Sequence, residues 1–149
     1  MKTTININGK DVEITLTKEQ VEKIKVASMK ITDRLKTWED ACQIKGIDPI
    51  NSLPYPEPEN DFEEAINGTA QMFIIVELLC EGWKPDWKNT NQYKHFPYFK
   101  YSGFGFSFSA SGYWRELTTV GSRLVFPTAE LAEYAGTQFI DIYNKFLTK

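Results

Sequence analysis

The sequence predicts an α+β protein, one compact domain with a short antiparallel sheet packed on about four helices. Three observations carry this. Residues 3–16 alternate apolar and polar side chains around Asn8-Gly9. Residues 61–81 form a long run whose second half is apolar on nearly every side. Residues 93–126 hold short aromatic-rich alternating segments. The 149 residues suffice for a core that needs neither metal nor disulfide.

From the N-terminus, Thr3 to Ile7 alternates, Asn8-Gly9 supplies a tight turn, and Val12, Ile14 and Leu16 return on one face. This is a hairpin signature. Thr17 followed by Gln20 is a capping-box pattern. A helix is expected from there, with Val21, Ile24 and Met29 on its stripe and Ile31 and Leu35 continuing it. Thr37 with Asp40 marks a second N-cap, and Gly46 a stop, so Trp38 to Lys45 reads as a short helix. Pro49, Pro54, Pro56 and Pro58 make Ile47 to Asn60 an extended connector, the one place where a domain boundary would fit.

A helix from about Asp61 to Glu81 follows. Its acidic first turn suits the macrodipole, and Gly82 ends it. The all-round apolar run Met72 to Cys80 predicts a central helix covered on most sides. Strands are expected at Tyr93–Tyr101 and Phe104–Ser109, the second with Phe104, Phe106 and Phe108 on one buried face. Ser109 to Gly121 reads as a loop, Leu124 to Phe126 as a third strand. Thr128 should cap one last helix with Leu131, Ala135, Phe139, Ile142, Tyr143 and Phe146 on its stripe.

Composition bounds the environment. Met1-Lys2-Thr3-Thr4-Ile5 offers no apolar signal region, and the run Met72 to Cys80 is too short to span a bilayer. Cys42 and Cys80, both in helical contexts, are expected as buried free thiols. A cytoplasmic protein without membrane attachment is the expectation.

The net charge of −3 is unevenly spread: −6 over residues 1–82, +4 over residues 83–123 and −1 over the remainder. The basic stretch is also the aromatic one. Twelve of the chain's aromatics fall between Trp83 and Trp114, interleaved with Lys84, Lys88, Lys94, Lys100 and the only histidine, His95. Such interleaving suits stacking on a polyanion, and equally a solvated strand over an aromatic core. The candidate partner-binding residues are Trp83, Lys84, Trp87, Lys88, Lys94, His95, Arg115 and Arg123. Trp83-Lys84-Pro85-Asp86-Trp87 is a stiffened loop that either lids the core or presents an indole. Arg115 and Arg123 flank a hydroxyl- and glycine-containing loop suited to an anion.

Catalytic and metal patterns are weak. His95, Asp86 and Cys80 have no supporting spacing for acid–base or nucleophilic work. One histidine and two cysteines cannot complete a zinc site. Asp61, Glu63 and Glu64 read as helix N-terminal dipole partners before they read as metal ligands. No glycine pattern for a nucleotide cofactor occurs. No catalytic residue, metal or cofactor is therefore expected.

Several stretches carry a resemblance. Gly82-Trp83-Lys84-Pro85-Asp86-Trp87-Lys88-Asn89 and Gln92-Tyr93-Lys94-His95-Phe96-Pro97-Tyr98-Phe99 are the most distinctive. Gly121-Ser122-Arg123-Leu124-Val125-Phe126 with Glu130 to Phe139, and Trp38 to Cys42 with Gly46-Ile47-Asp48-Pro49, add to them. Together, over roughly residues 37–147, they resemble small uncharacterised proteins of phages and prophages of gut Bacteroidetes-type bacteria. The resemblance implies a context, mobile DNA in a bacterial cytoplasm, and no catalytic residue list. The resulting expectation is a non-enzymatic accessory protein that binds a phage or host protein, with single-stranded nucleic-acid binding through residues 83–123 as the alternative.

Overall fold

The structure, a computed structural model, describes residues 2–148. The chain divides into two compact units, Met1–Arg34 and Leu35–Lys149. The division falls after Arg34 and not in the proline-rich connector. That connector is tied near its start and at its middle: Trp38 Nε1 donates to Pro49 O at 2.9 Å, and Asn67 bonds both backbone groups of Tyr55 at 3.0 and 2.7 Å.

In the first unit, β1 (Lys2–Ile7) and β2 (Lys10–Thr15) form the expected hairpin, with Ile5 opposite Val12. Asn8 (φ 52°) and Gly9 (φ 81°) both turn left-handed, as a two-residue hairpin loop requires. The helix α1 (Lys18–Ser28) starts at Thr17 with the full capping box, Gln20 N donating to Thr17 Oγ1 and Thr17 N to Gln20 Oε1. It stops earlier than the apolar stripe suggested. Met29 turns extended at ψ 151°, and Ile31–Arg34 form a separate turn, α2.

The second unit opens with α3 (Trp38–Lys45), capped by Thr37 and closed by left-handed Gly46 as expected. Next comes α4 (Asp61–Leu79), whose Met72, Ile75, Val76 and Leu79 are buried. The strands β3 (Lys94–Tyr101) and β4 (Phe106–Trp114) form a second hairpin, so the strands make two separate two-stranded sheets and not one. Opposite Tyr98/Phe99, the pairing jumps from Ala110 to Phe108 and leaves Ser109 as a bulge.

Around the second hairpin three boundaries differ from the sequence reading, each for a local reason. Gly103 (φ 89°) and Gly105 (φ 137°) make the turn, so Phe104 sits at its tip and the strand begins only at Phe106. Beyond Ser109 the chain stays extended to Trp114. Its Ser, Ala and Gly residues pair through their backbone without any hydrophobic alternation to announce it, and Tyr98 lies over Gly112. The expected third strand reduces to one bridge, Phe126 exchanging backbone bonds with His95 at 2.9 and 2.8 Å.

The last helix is two helices, α5 (Ala129–Gln138) and α6 (Ile140–Leu147), broken at Phe139. The break lets each half pack on a different neighbour. Gly136 of α5 lies against Pro97 and Phe108 of the hairpin. Gly68 of α4 approaches Ile142 and Lys145 of α6 so closely that a Cβ there would meet Lys145 Cβ at 2.7 Å. The described residues form six helices and two antiparallel hairpins, so the α+β class holds. Among the described residues, no helix is long and apolar enough to cross a membrane.

Candidate functional site

The faces of β3 and β4 differ. Pro97, Phe99, Phe106 and Phe108 turn toward α5 and α6, where Pro97 and Phe108 meet Gly136 and the Phe99 ring lies 4.6 Å from that of Tyr143. Lys94 and Phe96 point the other way, Phe96 stacked at 6.3 Å on Trp114. Both are buried. The end of the hairpin away from its turn, its base, is where most of the sequence-predicted site residues collect.

Lys94 organises that base, and its role differs from the expected one. Its side chain is 0 % exposed, so it offers no charge to a ligand. The ammonium donates to Asn89 O at 3.0 Å, Gln92 O at 2.8 Å and Arg115 O at 3.0 Å, which satisfies all three of its N–H groups. The Trp87 ring lies 5.3 Å from the same nitrogen. A lysine at this point in a strand was read as a phosphate contact because sequence shows only that it is charged. Two of the carbonyls that receive it lie in the loop just before it, and the third, Arg115 O, arrives from 21 residues further on.

Trp87, held over Lys94, also donates from Nε1 to Ser122 Oγ at 2.6 Å. The loop 83–92 is thus fastened to both the hairpin base and the 121–123 turn. Within the loop, Asp86 Oδ1 accepts from Lys88 N, and Gln92 reaches back to Asp86 N at 2.6 Å. Trp83 and Trp87 are half-buried, nearer to lids than to displayed indoles. Lys84 and Lys88 are exposed and form no ion pair among the described residues. Arg123 is exposed too, and its guanidinium lies 5.5 Å from the Phe73 ring of α4.

The exposed part of the base is a cluster that the sequence reading only half named. Tyr93 is 40 % exposed, Tyr113 54 % and Leu117 66 %. The two tyrosine rings meet edge to face at 4.6 Å. Arg115 donates from Nη2 to Tyr93 Oη at 2.6 Å, with its guanidinium carbon 4.8 Å from the ring centre. His95 stands behind Tyr113 at 5.7 Å, half-buried. Burial lowers the His95 pKa from its usual value, and Glu130 partly opposes this. Tyr113, Arg115 and Leu117 also line a shallow depression with Trp114 and Glu116. Tyr113 and Leu117 were missed because the segment 109–121 reads as an undifferentiated loop; the strand that brings Tyr113 beside Tyr93 has no periodic signal.

Two of the groups considered for catalysis have other partners. Cys80 Sγ is buried against Val125 O at 3.6 Å, and burial pushes its pKa to about 12. Asp86 is occupied within its own loop. Among the described residues, no three His, Cys, Asp or Glu side chains are grouped so as to hold a metal.

No protein-family model matches the chain, and neither a curated protein nor a solved structure matches it.

Proposed function

We propose that this chain is a non-enzymatic accessory protein of a phage or mobile element that binds a protein partner through the base of the β3–β4 hairpin. The observation that carries the proposal is the exposed group Tyr93, Tyr113, Arg115 and Leu117 mounted on the internally bonded Lys94. Tyrosine and arginine dominate the energetics of protein–protein contacts, and they do so best when already held in place. Here the arginine is fixed by Tyr93 and its backbone carbonyl by Lys94. The likeness to phage and prophage proteins supports the mobile-element context.

The charge pattern supports a protein over a polyanion. Of the six cations in residues 83–123, Lys94 is internal and Arg115 is engaged with Tyr93. The nucleic-acid alternative keeps one supporting observation, the exposed Lys84 and Lys88 on a loop tied to the same base.

The test is affinity purification from infected or lysogenic cells with the wild type and a Tyr113→Ala/Arg115→Ala variant as baits, each shown to be folded. A protein retained by the wild type and lost with the variant supports the reading; identical profiles refute it. In parallel, anisotropy with a labelled single-stranded oligonucleotide is measured at two salt concentrations. Salt-sensitive binding that Lys84→Glu/Lys88→Glu weakens tenfold would establish the alternative.

A further inference from the structure

The N-terminal end of α4 carries a second surface. The buried residues Asn67, Gly68, Gln71, Met72 and Ile75 give that helix one inward face. The opposite face is open where the helix begins. Phe62 is 68 % exposed there, and Ile66, one turn further on, 37 %. The all-round apolar helix expected from sequence is therefore covered along its second half and bare at its start.

That end is held in place. Asn60 Oδ1 accepts from Glu63 N at 3.0 Å, which caps the helix, and Glu59 N donates to Glu63 Oε2 at 2.7 Å. Pro56 and Pro58 restrict the backbone on either side of Glu57. From the inward face, Asn67 holds Tyr55 by both its backbone groups. The Phe62 ring and the acids before it thus stand on an ordered support, which removes part of the entropic cost of binding.

Charge selects what covers this face. Residues 46–83 carry eight Asp/Glu and not one Lys or Arg. Five of the eight, Glu57, Glu59, Asp61, Glu63 and Glu64, lie within five residues of Phe62. The helix dipole accounts for the three in the first turn. It does not account for Glu57 and Glu59, which precede the helix and are exposed. We propose that the N-terminal face of α4 docks a basic amphipathic segment of another protein. An apolar side chain of that segment packs on Phe62 and Ile66, a Lys or Arg lies over the open Phe62 ring, and further cations face Glu57 and Glu59. The same acids turn away other occupants. Nucleic acid and an anionic bilayer bring negative charge to a negative surface. Two copies meeting through this face would set like charges against each other.

The probe is a fluorescein-labelled amphipathic helical peptide of leucine and lysine, with a counterpart in which glutamate replaces lysine. Anisotropy is followed as the full chain is added, at two salt concentrations. The leucine–lysine peptide should bind, more weakly at high salt, and the leucine–glutamate peptide should not. Phe62→Ser should weaken binding about tenfold or more through the lost ring. Glu57→Lys/Glu59→Lys should do the same through reversed charge. Two controls should bind like the wild type: Glu116→Lys/Glu133→Lys, an equal charge change outside residues 46–83, and Phe104→Ser, the loss of an exposed ring elsewhere. Each variant is first shown to be folded by its melting curve. Absence of binding by the wild type overturns the proposal, as does equal binding of the leucine–glutamate peptide. Controls that weaken binding as much as Phe62→Ser overturn it too. So does Phe62-dependent dimerisation in sedimentation equilibrium, or Phe62-dependent binding of a single-stranded oligonucleotide. Tyr113→Ala/Arg115→Ala should leave peptide binding unchanged, so a failure here is separate from a failure of the proposed function.

Discussion

Replacing Lys94 by methionine tests the architecture of the candidate site directly. Methionine keeps most of the stem's volume and removes the ammonium, leaving the carbonyls of Asn89, Gln92 and Arg115 without their donor at 3.0, 2.8 and 3.0 Å. A buried acceptor that loses its partner costs about 1–3 kcal/mol. Water entering the vacated end recovers part of that, and the variant no longer dehydrates a charge. A net loss of about 3–4 kcal/mol is therefore expected, a large share of the roughly 5–15 kcal/mol available to a domain. Urea denaturation followed by tryptophan fluorescence is the assay. Trp87, 5.3 Å from the ammonium, should report loosening of the 83–92 loop before the global transition. Lys88→Met, on the exposed side of the same loop, is the control and should leave the midpoint unchanged. Lys94→Glu places an acceptor among three acceptors and should yield no folded protein. A Lys94→Met midpoint and slope equal to wild type would refute the reasoning and return Lys94 to the list of available surface charges.

Three other expectations are simpler. Gly68→Ala should destabilise by about 1–3 kcal/mol in a thermal melt, because the new methyl falls 2.7 Å from Lys145 Cβ and 3.1 Å from Ile142 O, and α6 must shift. Ile75→Asp should abolish soluble protein on expression, since Ile75 is wholly buried on α4 and an unpaired carboxylate there has no partner. Cys42 and Cys80 should resist alkylation at mildly alkaline pH until denaturant is added, as read by intact mass. Burial raises both thiol pKa values, with Glu39 and Asp48 adding to the effect at Cys42, so the reactive thiolate is scarce.

What the sequence made legible was the part written in local chemistry. Thr17 with Gln20, Thr37 with Asp40, Gly46 and Asn8-Gly9 each fix a boundary within a few residues of themselves, and each stands where it was expected. The buried face of α4 was readable for the same reason, since apolar side chains repeat along one helix. The candidate site was legible only as composition. Trp87, Lys94 and Arg115 do assemble, but Lys94 is the internal fastener and Tyr113 the exposed ring, and strand periodicity announces neither. The polar anchors escaped altogether. Asn67 and Asn144 each engage the amide and carbonyl of one distant residue, Tyr55 and Phe106. Nothing in an asparagine's neighbours along the chain reveals a partner 12 or 38 residues away. The break at Phe139 was invisible too, because α5 and α6 share one apolar stripe and part only to reach different neighbours.

The two Asn-Gly pairs should age differently. Deamidation starts when the amide nitrogen of the following residue attacks the asparagine side-chain carbonyl, and glycine normally makes that approach easy. At Asn8-Gly9 the pair occupies an exposed hairpin turn outside any helix. At Asn67-Gly68 the backbone is helical and both carboxamide atoms are already committed to Tyr55, so the ring-closing geometry is out of reach while the fold persists. Stored protein should accumulate isoaspartate at position 8 and spare position 67. Modification at 67 would then serve as a chemical record of molecules that had opened, a clock that runs only in the unfolded state.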